Sequence, residues 1–260
     1  MAELKTCREG TTGWIIFSNL DKYNAVTYDM WRALPEALAD FDADPDLRSI
    51  CLTGDGEKAF VSGADISEFE AKRGSADAAA EYNRASQAAG AALVAARLPT
   101  IARIRGICFG GGLGLALSCD MRVAADDARF CVPAARLGLG YPYAGLKRLV
   151  DLVGPAYAAE IFATARRYSA AEAAHMHLVN RAVPVAELDA ACAELLNAIG
   201  DNAPLTVEAA LAAIDMACMP ESERDLDAYQ KMFDRCFNSE DYKEGRKAFM
   251  EKRKPVFRGR

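Results

Sequence analysis

Short apolar runs and helically spaced apolar positions take turns along the first 180 or so residues. Trp14, Ile15, Ile16 and Phe17 form a compact apolar run, the mark of a buried strand. Asp21 to Thr27 is polar and turn-like. From Tyr28 to about Ala43, Met30, Leu34, Leu38 and Phe41 fall on one helical face; Thr27 is placed to cap that helix and Asp44-Pro45-Asp46 to end it. Ser49 to Thr53 reads as the next strand, closed by Gly54 and Gly56. A loop and an alanine-rich helix follow, up to Leu98, where Pro99 stops the helix. Thr100 to Ile104 is a strand, Gly106 to Gly112 a glycine-rich turn, Leu113 to Ser118 an apolar helix, and Met121 to Ala125 another strand. The alternation persists to about residue 184, and from about Val185 the spacing is helical only. Ser169-x-x-Glu172 and Ser222-x-x-Asp225 are the expected helix starts in the later part. The pattern predicts an α/β fold with a helical C-terminal region, divided near residue 195 into segments 1–195 and 196–260.

Composition narrows the partners. Of the 260 residues, 52% are hydrophobic and 26% charged, which supports a folded core. The formal net charge of −6 makes nucleic acid an unlikely partner, because a phosphate-binding surface normally shows as a basic excess. Met1 to Thr12 carries no apolar run after a basic stretch, so no signal peptide is expected, and no apolar stretch is long enough to span a membrane. A cytoplasmic protein is the expectation. The eight cysteines form no C-x-x-C pair, and several sit inside apolar runs as small hydrophobes with free thiols. His175 and His177 lie in an alanine-rich helical pattern with no acidic or thiol partner close in sequence, so no metal site is expected.

Two segments carry candidate chemistry. One is Ala59 to Phe69, AFVSGADISEF; the other is Ile104 to Asp120, IRGICFGGGLGLALSCD. Each runs from a strand through glycine into the start of a helix, and such a junction leaves backbone N–H groups without partners. Two such groups converging from separate junctions can hold the negative oxygen of an enolate or tetrahedral intermediate. Gly110, Gly111 and Gly112 let a ligand approach the backbone closely. Neither turn fits the pattern of a nucleotide P-loop or of a dinucleotide-binding fingerprint.

These segments resemble the crotonase (enoyl-CoA hydratase/isomerase) superfamily. AFVSGADISEF looks like its first oxyanion segment and RGICFGGGLGLALSCDMRVA like its second; DKYNAVTYDM resembles its CoA-contacting loop and SEDYKEGRKAFMEKRKPVF its C-terminal helix. The likeness runs from about Trp14 to Phe257. It implies a repeated β-β-α spiral, a homotrimer or hexamer, an acyl-CoA thioester as substrate and no cofactor beyond the coenzyme A of that substrate. It also implies that the oxyanion donors are the N–H groups of Ala64 and Gly111. Ser62, Gly63, Asp65, Ile66 and Gly110 would shape the thioester and adenine pocket beside them. Lys22 and Ala25 fall in the CoA loop, and Phe249 and Lys252 at positions that reach the adenine and ribose phosphate.

The resemblance also shows a departure. Hydratases of this family carry glutamate three residues after the middle glycine and again after a proline; here those positions are Gly114 and Ala134. Hydration needs one group to activate water and another to deliver a proton, and glycine and alanine do neither. The enolate-stabilising frame survives. Decarboxylation of a malonyl-type thioester needs no base to form its enolate, and double-bond isomerisation needs one. Segment LGLGYPYAGLKR, Leu137 to Arg148, lines the acyl pocket in relatives and supplies Tyr141 and Tyr143; a tyrosine at position 141 resembles the methylmalonyl-CoA decarboxylase branch. Glu68 is the best remaining carboxylate near the first turn; a surface residue is the expected role, with a catalytic base as the alternative. A silent acyl-CoA-binding protein and an interaction scaffold of the same fold also stay open.

Overall fold

The computed structural model describes residues 2–68 and 76–260. After β1 (Glu3–Glu9), β2 (Thr12–Ser18) and α1 (Tyr28–Ala43), the chain repeats a strand–strand–helix unit. The units are β3 (Ser49–Gly54), β4 (Ala59–Val61) and α2 (Ala76–Val94); β5 (Thr100–Ile104), β6 (Ile107–Phe109) and α3 (Gly111–Ser118); and β7 (Met121–Ala125), β8 (Arg129–Cys131) and α4 (Tyr143–Thr164). Then come β9 (Tyr168–Ser169), α5 (Ala170–His175), β10 (Arg181–Val183) and α6 (Leu188–Gly200), followed by α7 (Pro204–Ala217), α8 (Leu226–Asn238) and α9 (Glu240–Glu251).

Among the described residues the strands form two sheets, ordered β1-β2-β3-β5-β7-β10 and β4-β6-β8-β9. The first strand of each unit joins the larger sheet and the second joins the smaller. Pairing is parallel along β2, β3, β5, β7 and β10 and along β4, β6 and β8, so each repeat advances both sheets by one strand. Successive units therefore stack as a spiral, and equivalent turns of neighbouring units lie side by side.

The core follows from that layering. Phe17, Met30, Trp31, Leu34, Phe60, Tyr82 and Phe130 are buried in one cluster with Leu113 and Leu115 of α3. A smaller cluster joins Cys51, Ile101 and Val123 to Leu188, Cys192 and Leu196 of α6. That helix runs across position 195 and covers sheet residues.

Most expected elements occur where the spacing places them. Thr27 accepts from the Met30 N–H to cap α1, and Ser169 with Glu172 forms a complete capping box. The alanine-rich helix ends at Val94 instead of Leu98, and Leu98 is buried in the turn before β5. The Ser222 start is corrected: Glu221–Glu223 is a 3₁₀ turn, and Asp225 caps α8 through the Ala228 N–H. Strand β1 escapes the pattern altogether. It is an edge strand whose side chains are nearly all exposed, so no alternation marks it; its charged residues suit an unpaired edge. His177 lies outside the helix of His175, with φ 61°. No helix among the described residues is long and apolar enough to cross a membrane.

Candidate oxyanion site

Two turns, one after β4 and one after β6, build the site. In the first, Gly63 has φ 120°, a conformation that favours glycine. Val26 donates its N–H to Gly63 O at 2.8 Å and accepts from the Asp65 N–H at 2.9 Å. These bonds pin the chain on both sides of Ala64 and, among the described residues, leave the Ala64 N–H without a backbone acceptor. In the second turn, Gly110 has φ 51°, and its N–H bonds to Cys131 O at 2.8 Å. Gly111 is the first residue of α3, where no intrahelical acceptor exists for its N–H.

Glycine geometry shows that these two nitrogens lie close together. A Cβ placed on Gly63 would stand 3.9 Å from Gly111 N, and one placed on Gly111 would stand 3.7 Å from Ala64 N. A Cβ on Gly112 would meet Val61 O at 2.2 Å, so α3 rests against the end of β4 with no room for a side chain. Two backbone N–H groups this close together, one of them at the positive end of a helix, are a candidate site for an oxygen that gains negative charge during a reaction.

Aromatic side chains wall this space. The Trp31 indole stands 3.3 Å from the Gly111 Cβ position and donates its N–H to the buried Tyr82 hydroxyl at 3.0 Å. On the other side, the Tyr141 hydroxyl lies 3.5 Å from where a Cβ at Gly114 would be. The Tyr141 ring packs edge-on against Phe162 at 4.9 Å, and Gly145 is needed beside it, since a Cβ there would fall 2.9 Å from the ring. Burial, and then the nearby Cys108 thiol, push the Tyr141 pKa up, so its hydroxyl stays neutral and able to donate. Ala134 is buried in the 3₁₀ turn after β8, next to Pro133, whose Cδ faces Gly110.

The other expected site residues are placed less uniformly. Asp65 is buried and holds Lys22 Nζ at 2.8 Å, with Ser67 bonding to both. Burial alone would raise the Asp65 pKa, but Lys22 and Ser67 outweigh it and the carboxyl titrates below its ordinary range. Asp65 thus braces the first turn and orients Lys22, whose side chain stays half exposed. Ser62 donates to Lys22 O, and Ala25 is buried in the same loop with its carbonyl held by Asn19. Ile66 is 61% exposed on the rim.

Glu68 is half-buried, and one of its carboxylate oxygens accepts the Tyr28 N–H at 2.8 Å and caps α1. Phe69, the last residue of the first motif, lies outside the described residues. Tyr143 is 79% exposed at the start of α4, so Tyr141 and Tyr143 part company across Pro142. Phe249 and Lys252 are exposed at the C-terminal end of α9. Trp31 is the wall residue that sequence reading passes over, because it sits on the apolar face of an ordinary amphipathic helix and carries no local signal.

A spiral of strand–strand–helix units running through two sheets is the class of fold this chain adopts. This chain belongs to the enoyl-CoA hydratase/isomerase family, whose model matches residues 8–260. It is similar to the short-chain-enoyl-CoA hydratase of Clostridium acetobutylicum, 33% identical over 95% of this chain and 94% of the relative. The carnitinyl-CoA dehydratase of Salmonella typhi is 38% identical over 92% of each chain. A solved structure of an enoyl-CoA hydratase/carnithine racemase from Magnetospirillum magneticum superposes with a TM-score of 0.94 and 37% identity, covering 100% of this chain and 97% of that one.

Proposed function

We propose that this protein binds an acyl-CoA thioester, stabilises its enolate between the Ala64 and Gly111 N–H groups, and decarboxylates a malonyl-type CoA. The observation that carries the reading is the Tyr141 hydroxyl, 3.5 Å from the Cβ position of residue 114, where family hydratases place a glutamate. With Gly114 and Ala134 at both glutamate positions, the acid–base pair for hydration is missing while the oxyanion donors remain.

In the proposed step the bond from the α carbon to the carboxylate breaks. Carbon dioxide leaves, and the electron pair moves through the α carbon onto the thioester oxygen. Ala64 and Gly111 hold that oxygen as its charge grows. Tyr141 donates one hydrogen bond to the departing carboxylate and so orients it. Solvent then returns a proton to the α carbon. Lys22 and Lys252 are proposed to face the CoA phosphates, and Phe249 its adenine. The exposed apolar side of α8 and α9, with Phe233, Phe237 and Phe249, supports assembly into a trimer or hexamer; sedimentation at micromolar concentration checks this, and a monomer overturns it.

Methylmalonyl- and ethylmalonyl-CoA, followed by mass spectrometry, test the reaction. Tyr141→Phe is expected to slow it about ten-fold, the scale of one modest hydrogen bond. The names of the hydratase and dehydratase relatives favour a second reading, addition of water to an enoyl-CoA. Crotonyl-CoA turnover comparable to a two-glutamate relative would establish it. Intact malonyl thioesters beside an isomerised enoyl-CoA would move the assignment to isomerisation. Binding of acyl-CoA without turnover would leave a silent carrier or scaffold.

A further inference from the structure

Helix α3 carries the Gly111 donor at one end and an unusual arrangement at the other. Its eight residues, Gly111–Ser118, span about 12 Å. The last carbonyls of a helix lack intrahelical donors; here the Cys119 N–H reaches Ala116 O at 3.3 Å, and the remaining acceptor capacity is met from outside. Two arginines from different elements do this. Arg122 of β7 donates to Cys119 O at 2.7 Å and to Ala116 O at 3.3 Å, and its Nε donates to Leu178 O at 2.9 Å. Arg148 of α4 donates to Leu117 O and to Ser118 O. Ala116, Leu117, Ser118 and Cys119 thus each receive a guanidinium N–H.

These are charged groups spent on neutral acceptors. Arg122 is only 3% exposed, and burial lowers its pKa from the usual arginine value. Among the described residues, neither arginine has a carboxylate within 4 Å. Asp120 is occupied by the Thr100 N–H and hydroxyl and acts on Arg122 only through space, and Asp215 acts on Arg148 in the same way. Neutral side chains would cap the same carbonyls without the desolvation cost of a buried cation. Cations at a helix C-terminus cancel its negative pole and leave the positive pole at the N-terminus less opposed.

We infer that Arg122 and Arg148 are positioning residues for the oxyanion donor: by tying off the C-terminal carbonyls of α3, they fix the helix axially and raise the positive potential at the Gly111 N–H. The inference rests on the enolate-stabilising reading of that N–H. It assigns these arginines no contact with the substrate, and it requires their effect to grow with negative charge on the thioester oxygen.

The test uses the full chain with crotonyl-CoA carrying ¹³C at the carbonyl carbon, read by difference infrared spectroscopy. Bound to the wild type, the carbonyl stretch moves to lower frequency. Arg148→Met should lose about half of that displacement, with kcat/KM for the decarboxylated thioester about ten-fold lower. Affinity for S-ethyl-CoA, a thioether without a carbonyl, should change less than about two-fold. Arg148→Lys, which keeps a cation at the same end, should restore most of the displacement. Arg122→Lys extends the test to the buried partner, and its thermal transition checks folding.

A folded Arg148→Met with the full wild-type displacement overturns the role of the arginines and leaves the oxyanion reading intact. Equal loss of thioester and thioether binding overturns it in favour of a merely structural cap. A wild type with no displacement overturns the oxyanion reading and the arginines' role together. Absence of decarboxylation, with the displacement present and sensitive to Arg148, removes only the proposed reaction.

Discussion

The two turns that supply the N–H donors are held by opposite means. Around Ala64 the chain is fixed by charge: buried Asp65 grips Lys22 and Ser67, and Glu68 takes the first N–H of α1. Around Gly111 it is fixed by volume. Gly112 touches Val61 O, Gly111 faces the Trp31 indole, and the cations sit a helix length away. Beside its Val26 backbone bonds the first turn thus carries an ion pair that titrates and is open to salt, whereas the second rests on close packing. The difference fits the sequence of each turn: SGADISE carries ionisable and hydroxyl groups, and FGGGLGL carries none.

Breaking the packed turn should have the largest effect. Gly112→Ala forces a Cβ against the Val61 carbonyl oxygen, and α3 must shift. We expect about 3 kcal/mol lost in urea unfolding, at the upper end for overpacking, together with loss of acyl-CoA turnover.

Breaking the charged turn should cost less and depend on pH. Asp65→Asn leaves Lys22 without its carboxylate, with only the Ser67 hydroxyl still bonded to it, and about 2 kcal/mol of stability should go at neutral pH. The Asp65 pKa is depressed in the folded protein. Its contribution is therefore present above the unfolded value of about 4 and is lost as pH falls through the folded value. Stability curves of the wild type and Asp65→Asn should converge on acidification below about pH 4; a gap that persists there would show that the bond, not the charge, holds the turn.

Glu68→Gln sharpens the comparison further. The amide keeps an acceptor for the Tyr28 N–H and loses only charge at the start of α1, so about 0.5 kcal/mol and less than a two-fold change in rate are expected. A hundred-fold loss of rate would restore Glu68 as a base.

The smallest effect lies outside both turns. Lys252→Ala, on an exposed helix end, should weaken binding of CoA a few-fold while leaving dephospho-CoA nearly unchanged in calorimetry, as expected of one solvated charge pair.

The fold was largely legible along the chain because its signals are local. The cap of α1, the capping box of α5 and the strands Thr100–Ile104 and Met121–Ala125 follow from periodicity and end residues that need no distant partner. The two glycine-bearing turns were legible for a related reason, since a strand-to-helix junction leaves N–H groups without helix partners; Ala64 and Gly111 as the particular donors came from the family resemblance. What the residues could not announce is how β4 and β6 lie side by side, Val61 pairing with Cys108 47 residues further on, so that the Ala64 and Gly111 nitrogens come close together. The same applies to Glu68, which looks like a free carboxylate until α1 presents its first N–H. It applies to Tyr141 and Tyr143, two positions apart, of which a helix start packs one against the core half-buried and exposes the other. It applies most strongly to Arg122 and Arg148, ordinary cations in sequence that tertiary packing brings to the carbonyl end of one short helix. Local conformation follows from each residue and its neighbours through sterics and periodicity; the direction a polar group faces depends on which distant segment meets it, and only the packed spiral decides that.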